Sequence, residues 1–209
     1  MIILSHRGLW RTPAEKNSAT AFERSFELGF GTETDLRDMA GKIVISHDMP
    51  TGSEMTFAEL LQILNGRNLP LALNIKADGL TKKILETLRE YHHTNYFTFD
   101  MSIPDMIFQV KKGLKVFSGL SDINPSAPLV DQTSGVWLDA FNSVWYTPAT
   151  IIDLLNQGKQ VCVVSEDLHQ RDNTAQWAML KKNKLQQNEK ILLCTDFPEA
   201  AREYFQHSN

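Results

Sequence analysis

Histidine, arginine and carboxylate side chains end the first apolar segments of this 209-residue chain. His6 and Arg7 follow the first segment, His47 ends a later one, and Glu33 and Asp35 lie between them. Residues two apart in a strand point to the same face, so the two carboxylates should lie together. Imidazoles transfer protons near neutral pH, and clustered carboxylates bind hard cations. These residue types indicate acid–base chemistry beside a metal ion.

The carboxylate pair needs a counter-charge if its strand is buried. Two buried carboxylates repel each other unless a cation or hydrogen-bond donors compensate. One hypothesis is that Glu33 and Asp35 bind Mg²⁺ or Ca²⁺, because zinc prefers softer ligands that this pattern does not offer. The alternative is that the pair forms salt bridges to Arg7 and Arg37.

A further apolar segment, 71–75, ends just before a lysine. Asn74 and Lys76 are two residues apart and should point to one face. Together with Arg7, Lys76 would supply positive charge to a phosphate group, whose transition state carries added negative charge. The alternative for Lys76 is a solvated surface side chain.

Composition restricts the class of protein. The length suits a single domain over residues 1–209, and the formal charge of −4 disfavours a nucleic-acid partner. No basic leader or apolar stretch of membrane-spanning length is visible, so we expect a cytoplasmic protein without an integral membrane segment. Cys162 and Cys194 lie in apolar segments and are expected to be buried free thiols.

Short apolar segments alternate with helical patterns, which is typical of βα units around a parallel sheet. The candidate strands lie near 2–6, 31–36, 43–47, 71–75, 96–99, 115–119, 135–138, 160–164 and 191–194. The segment between Leu36 and Ile43 is too short for a parallel crossover, so these two strands should form a hairpin. The remaining strands predict an α/β fold, a compact (β/α)8 TIM barrel with a β-hairpin excursion after strand 2.

Helices are predicted between most strands. Asn17 or Ser18 can cap the first, Thr56 and Glu59 have capping-box spacing, and further patterns cover 81–92, 103–112, 147–157, 173–182 and 198–206. Residues 121–128 contain two prolines and no helical period, so the helix after the fifth barrel strand should be missing.

The order of these motifs resembles the glycerophosphodiester phosphodiesterase family of the phosphatidylinositol phospholipase C-like superfamily. That family carries H-R-G, E-N-[ST], E-x-D, H-D and E-x-K in sequence. The corresponding residues here are His6-Arg7-Gly8, Asn17-Ser18, Glu33-Thr34-Asp35, His47-Asp48 and, with one difference, Asn74-Ile75-Lys76. Near the end, Thr195-Asp196-Phe197-Pro198 is similar to the family's final T-D-x-P.

The resemblance implies a metal-dependent phosphoric diester hydrolase that acts on a glycerophosphodiester-like or related alcohol or sugar phosphodiester. It implies one divalent cation, Mg²⁺ or Ca²⁺, and a small-molecule, lipid-derived or glycan-derived substrate, and leaves the oligomeric state open. The implied roles are acid–base catalysis by His6 and His47, phosphate binding by Arg7 and Lys76, and metal binding by Glu33, Asp35 and Asn74. Asp48 would orient His47, or alternatively serve only in a turn.

Two departures from the family pattern affect this interpretation. Asn74 replaces a glutamate that is the family's third acidic metal ligand, which should weaken metal binding. The chain also has only residues 48–55 where relatives usually insert a capping subdomain, so we expect an open site that accepts a bulkier alcohol than glycerol. Two alternatives therefore stay open, a noncatalytic barrel that binds a phosphate ligand and a phospholipase-like lyase that forms a cyclic phosphate.

Overall fold

A computed structural model describes residues 1–206, which form a nearly closed barrel of eight parallel strands with one additional antiparallel strand. The strands are β1 (Ile2–His6), β2 (Gly31–Met39), β3 (Lys42–Ile45), β4 (Leu71–Ile75), β5 (Tyr96–Phe99), β6 (Phe117–Leu120), β7 (Gly135–Leu138), β8 (Gln160–Val164) and β9 (Ile191–Thr195). The helices are α1 (Ala19–Glu27), α2 (Phe57–Leu64), α3 (Thr81–Glu90), α4 (Ile103–Lys111), α5 (Pro148–Asn156), α6 (Thr174–Lys182) and α7 (Pro198–Gln206). The predicted (β/α)8 barrel is confirmed.

The barrel closes unevenly around its ring. Strand order is β5-β4-β2-β1-β9-β8-β7-β6, and the remaining seam between β5 and β6 has a single bridge, Thr98 to Val116. Aromatic packing inside the barrel spans this seam, because the rings of Phe97 and Phe117 stack with centroids 3.8 Å apart. Dispersion and burial therefore hold the two strands where the hydrogen-bond ladder is short.

The predicted hairpin is present and brings its far end back to the carboxylates. Strand β3 pairs antiparallel with β2 across Ala40 and Gly41, which both have positive φ angles, +47° and +78°. Positive φ at both central residues is the requirement of a tight hairpin turn. After the hairpin, the N–H of Ser46 donates to the carbonyl oxygen of Asp35 at 3.0 Å. His47 was predicted to end the strand but lies two residues beyond it.

Three further local predictions are confirmed. Ser18, not Asn17, caps α1 by accepting a hydrogen bond from the N–H of Ala21. The connection from β6 to β7 contains only a short 3₁₀ helix, Val130–Gln132, where the barrel pattern would place an α-helix. Cys162 and Cys194 are buried free thiols. No helix within residues 1–206 has both the length and the apolar character needed to cross a membrane.

The turn after β1 requires glycine. Gly8 has a φ of +83°, and a Cβ atom there would lie 2.8 Å from the backbone carbon of Ala21 in α1. The N–H of Gly8 donates to Thr32 Oγ1 at 3.0 Å, which ties the turn to β2. This close packing fixes Arg7, whose own φ of +58° is unusual for a residue with a side chain.

We predict that Gly8→Ala destabilises the fold more than Gly29→Ala. Both positions have positive φ, but a Cβ at Gly29 would meet nothing within 4 Å. Gly29→Ala should therefore cost only the backbone strain, about 1–2 kcal/mol, whereas Gly8→Ala adds about 1–3 kcal/mol of overpacking. Urea denaturation measures both. Equal losses for the two variants would contradict the close approach of the β1 turn to α1.

Candidate active site

The predicted site residues gather at the carboxyl end of the barrel. His6 ends β1 beside Glu33 of β2, and Asp35 pairs in register with Asn74 of β4. Glu33, Asp35 and Asn74 are buried, with 2%, 0% and 7% of their surface exposed. The carboxyl end of the strands is where barrel enzymes hold their catalytic groups. Strand parity and the parallel register thus bring His6 together with the three predicted metal-binding side chains on three neighbouring strands, whereas His47 lies apart from them beyond β3.

Asp35 is the most heavily partnered of these residues. Arg7 Nε lies 2.9 Å from Asp35 Oδ2, and Lys76 Nζ lies 3.5 Å from Asp35 Oδ1. The side-chain amide of Asn17 donates to Asp35 Oδ2 at 3.0 Å. The alternative of a salt bridge between Arg7 and the carboxylate pair is therefore present for Asp35. Arg37 does not take part, because its guanidinium donates to the carbonyl oxygen of His47.

Glu33 lacks comparable charge compensation. Burial raises the pKa of Glu33 well above its usual range, and the negative charge of Asp35 raises it further. The charges of Arg7 and Lys76 and the amide of Asn74 oppose this rise but do not cancel it. Among the basic side chains of residues 1–206, only His6 comes within 4.0 Å of the Glu33 carboxylate, with Nε2 3.8 Å from Glu33 Oε2, and His6 is charged only when it is protonated.

Three buried oxygen atoms in this cluster have no hydrogen-bond partner among residues 1–206. They are Glu33 Oε2, Asp35 Oδ1 and Asn74 Oδ1, one from each predicted metal ligand. Buried polar atoms are normally paired, so unpaired oxygens of one cluster suit a cation that prefers oxygen ligands. The donor set fits Mg²⁺ or Ca²⁺. Within the same residues no three His, Cys, Asp or Glu side chains form a metal-binding group, which is consistent with an amide at position 74.

His6 is oriented by an aspartate from the last strand. His6 Nδ1 lies 2.6 Å from Asp196 Oδ1, which leaves Nε2 directed toward Glu33. Burial lowers the pKa of His6, while the hydrogen bond and the charge of Asp196 raise it. Lys16 Nζ lies 3.6 Å from the other oxygen of Asp196. An aspartate that fixes an imidazole in this way is a common arrangement around catalytic histidines.

His47 lies at the open side of the site. Its Nδ1 is 2.9 Å from Asp48 Oδ1, and the His47 side chain is 48% exposed. His47, Asp48, Arg7 and Asn17 line one cavity of about 1050 Å³ between the β1 turn, the hairpin and α2. The structure therefore places His47 on the same cavity as the phosphate-binding candidate Arg7, in a part of the site that is open to solvent.

Sequence patterns do not identify two side chains of this cluster. Asp196 stands out only as part of the T-D-x-P segment, although a residue that directly follows the last strand of a closed barrel must lie beside the end of the first strand. Asn17 was considered as a helix cap, but its φ of +61° turns its amide toward Asp35 and Thr34 instead. A left-handed asparagine has no signal in strand or helix periodicity.

Comparison with known proteins supports the fold. No protein-family model matches the chain, and no curated protein matches its sequence. A candidate glycerophosphodiester phosphodiesterase from Galdieria sulphuraria superposes with a TM-score of 0.78 at 19% identity, over 99% of this chain and 98% of the other. The glycerophosphodiester phosphodiesterase from Agrobacterium tumefaciens gives 0.68 at 18% identity, over 97% and 99%.

A third solved structure carries a ligand. The Oleispira antarctica phosphodiesterase, in complex with the product sn-glycerol-3-phosphate, gives a TM-score of 0.71 at 15% identity, over 99% of this chain and 97% of the other. Sequence identities this low establish shared architecture. The chain therefore has the barrel fold of the solved glycerophosphodiester phosphodiesterases.

Proposed function

We propose that this protein is a cation-dependent phosphodiesterase that hydrolyses a glycerophosphodiester-like or related alcohol or sugar phosphodiester. The observation that carries the proposal is that one side-chain oxygen each of Glu33, Asp35 and Asn74 has no hydrogen-bond partner within residues 1–206, beside His6 and two cationic side chains. The barrel fold shared with solved phosphodiesterases is consistent with this reaction. Fold alone does not assign function, so the site carries the argument.

A divalent cation, when bound, would be held by Glu33, Asp35 and Asn74 and would supply positive charge to a nonbridging oxygen of the phosphate. The protein prepares this position by burying the two carboxylates and leaving one oxygen of each without a hydrogen-bond partner within residues 1–206. Asn74 contributes a neutral oxygen where a third carboxylate would bind more strongly. We propose that the substrate phosphate and water supply the remaining ligands.

Arg7 and Lys76 share the charge of the phosphate in this proposal. Both side chains contact Asp35, and this carboxylate holds the guanidinium and the ammonium group close together at the mouth of the barrel, the carboxyl end of its strands. Arg7 Nε is buried and, within residues 1–206, lacks an aligned hydrogen-bond acceptor despite its closeness to Asp35. An unpaired donor beside a cation site suits an oxygen of the phosphate group, and Arg pairs well with such oxygens.

His6 and His47 transfer the protons of hydrolysis. One imidazole removes a proton from the attacking water, and the other donates a proton to the leaving alkoxide as the P–O bond breaks. Asp196 holds His6 and Asp48 holds His47 through their Nδ1 atoms, so each histidine keeps Nε2 for the reaction. If the substrate has a vicinal hydroxyl, that hydroxyl can attack in place of water and give a cyclic phosphate.

The open cavity beside His47 favours substrates larger than glycerophosphocholine. The connection from His47 to α2 forms one wall of this cavity with Ser53, Glu54 and Met55, and no subdomain within residues 1–206 covers it. The glycerol-3-phosphate bound to the Oleispira antarctica enzyme is a product of that protein. For this chain we propose a bulkier alcohol, bound largely at the rim of the barrel.

Phosphorus NMR tests the proposal directly. Glycerophosphocholine and bulkier glycosyl and lipid phosphodiesters are incubated with the protein and Mg²⁺ or Ca²⁺, with a chelator as control. We expect phosphomonoester signals only with the cation, and faster turnover of the bulkier compounds. A cyclic phosphate as final product would assign a lyase, whereas binding without any new signal would assign a noncatalytic barrel. Preference for the smallest diester would contradict the open site.

Removing either histidine should abolish most of the turnover. His6→Ala and His47→Ala are each expected to lower kcat by about two to four orders of magnitude, the scale of a positioned acid or base. The double variant should lose less than the product of the two effects, because the groups act in one proton transfer. His92→Asn, an exposed position after α3, serves as the control. Full activity in either single variant would refute the acid–base roles.

Asp196→Asn should shift the pH profile. Asp196 raises the pKa of His6 against the effect of burial, so its neutralisation should lower that pKa further. The limb of the kcat/KM profile that reports His6 should then move to lower pH, with a matching shift of the His6 ring signals in an NMR titration. Asp172→Asn, at an exposed aspartate before α6, is the control. An unchanged His6 titration in Asp196→Asn would show that the aspartate does not set the proton affinity of His6.

A further inference from the structure

The rim of the barrel carries a second histidine–aspartate pair that the proposed reaction does not use. His169 Nε2 lies 2.7 Å from Asp139 Oδ1, and the two side chains are 22% and 12% exposed. Asp139 directly follows β7, and His169 ends the 3₁₀ helix Glu166–His169 that follows β8. Both residues therefore lie at the same carboxyl edge of the parallel barrel as His6.

Asp139 determines which nitrogen of His169 is free. The carboxylate accepts a hydrogen bond from Nε2–H, and in this tautomer of the imidazole the lone pair lies on Nδ1. No protein group within residues 1–206 hydrogen-bonds to that Nδ1. A ligand hydroxyl is a suitable donor to such a nitrogen.

Phe141 lies beside this pair with its ring directed to solvent. The centroids of the Phe141 and His169 rings are 5.4 Å apart in an edge-to-face arrangement. Phe141 is 48% exposed, so the protein forgoes much of the free energy that burial of an aromatic ring would provide. An aromatic ring next to a free imidazole nitrogen offers both an apolar face and a hydrogen-bond acceptor.

The loop that presents Phe141 is held rigidly from both sides. Arg171 donates to the carbonyl oxygen of Phe141 at 2.8 Å and to Glu166 Oε2 at 2.9 Å. On the opposite side, the Asp122 carboxylate accepts from the N–H of Phe141 at 2.7 Å and from the N–H of Asn142 at 2.9 Å. The exposed position of the ring is therefore fixed by the fold, not by a loose segment.

Hydrogen bonds connect this rim to the proposed reaction centre. Asp167, in the same 3₁₀ helix as His169, accepts from the N–H of Asp196 at 2.7 Å. Asp196 in turn holds His6 at 2.6 Å. The 3₁₀ helix that carries His169 is thus hydrogen-bonded, through Asp167, to the aspartate that holds His6.

We propose that Phe141, His169 and Asp139 form the subsite for one of the two alcohols of the phosphodiester, the one directed away from the cavity beside His47, and that this alcohol is a sugar or polyol. Such a molecule has apolar C–H faces that pack on an aromatic ring and hydroxyls that bond to carboxylate and imidazole groups. The inference rests on the proposed function, in which Arg7 and Lys76 bind the phosphate and the ester extends toward this rim. His169 and Asp139 act in alcohol recognition and not in proton transfer.

A matched pair of substrates tests the subsite by kinetics. Two phosphodiesters share a methyl ester and differ in the second alcohol, a hexose in one and ethanol in the other. Phe141→Ala and His169→Ala should each raise KM for the hexose diester about tenfold or more, with kcat changed by less than about threefold and the ethyl diester unaffected. Phe108→Ala, which removes a ring that is 46% exposed on α4, is the control. Equal effects on both diesters would overturn the proposal.

A binding measurement separates the subsite from the proposed reaction. In saturation-transfer NMR with the free hexose, the wild-type protein and Phe108→Ala should saturate the sugar signals, whereas Phe141→Ala and His169→Ala should not. If the wild type cleaves neither diester but this pattern holds, the proposed function fails and the subsite stands. If the wild type cleaves both diesters and none of the variants alters sugar binding or KM, the subsite is refuted and the proposed function stands.

Discussion

The buried negative charge of Glu33 and Asp35 is the constraint around which the rest of the site is arranged. Both carboxylates point into the barrel from one strand, where burial makes an uncompensated charge expensive. The fold assigns Asp35 to Arg7, Lys76 and Asn17, and it leaves Glu33 without an equivalent partner. The raised pKa of Glu33 follows from this uneven charge compensation. The three oxygens of the cluster that lack a hydrogen-bond partner within residues 1–206 are a second sign of it. In the proposed function a divalent cation would compensate this charge, and a phosphate group would then meet Arg7 and Lys76 at the same point.

The other elements serve to position groups around this pair. The glycine turn after β1 fixes Arg7, and closure of the ring between β1 and β9 brings Asp196 to His6. The hairpin returns the chain to Asp35 before His47. On the far side of the mouth, Asp139 contacts His169, and Asp167 of the same 3₁₀ helix as His169 accepts a hydrogen bond from the N–H of Asp196. Phosphate chemistry and alcohol recognition would thus occupy opposite parts of one mouth.

Local sequence features were sufficient to predict three parts of the fold. The spacing of apolar segments predicted the barrel, the short connection between Leu36 and Ile43 predicted the hairpin, and the lack of a helical period in residues 121–128 predicted the missing helix. The inward direction of Asn74 and Lys76 followed from parity alone. Contacts that depend on ring closure were harder to predict, since His6 and its partner Asp196 are 190 positions apart. The sequence could not predict that Arg7 pairs with Asp35 and not with Glu33, because this pairing depends on side-chain geometry within one strand. The exposed Phe141 likewise depends on two loops that meet only in the fold.

The location of the cation tests the central claim most directly. Crystals soaked with Mn²⁺ or Ca²⁺ and measured by anomalous diffraction should show one ion within about 2.0–2.6 Å of oxygens from Glu33 and Asp35. We also expect the contact between Lys76 and Asp35 Oδ1 to lengthen from its 3.5 Å, because the ion takes over that oxygen. An ion bound elsewhere, with Asp35 still paired to Arg7 and Lys76, would contradict the account.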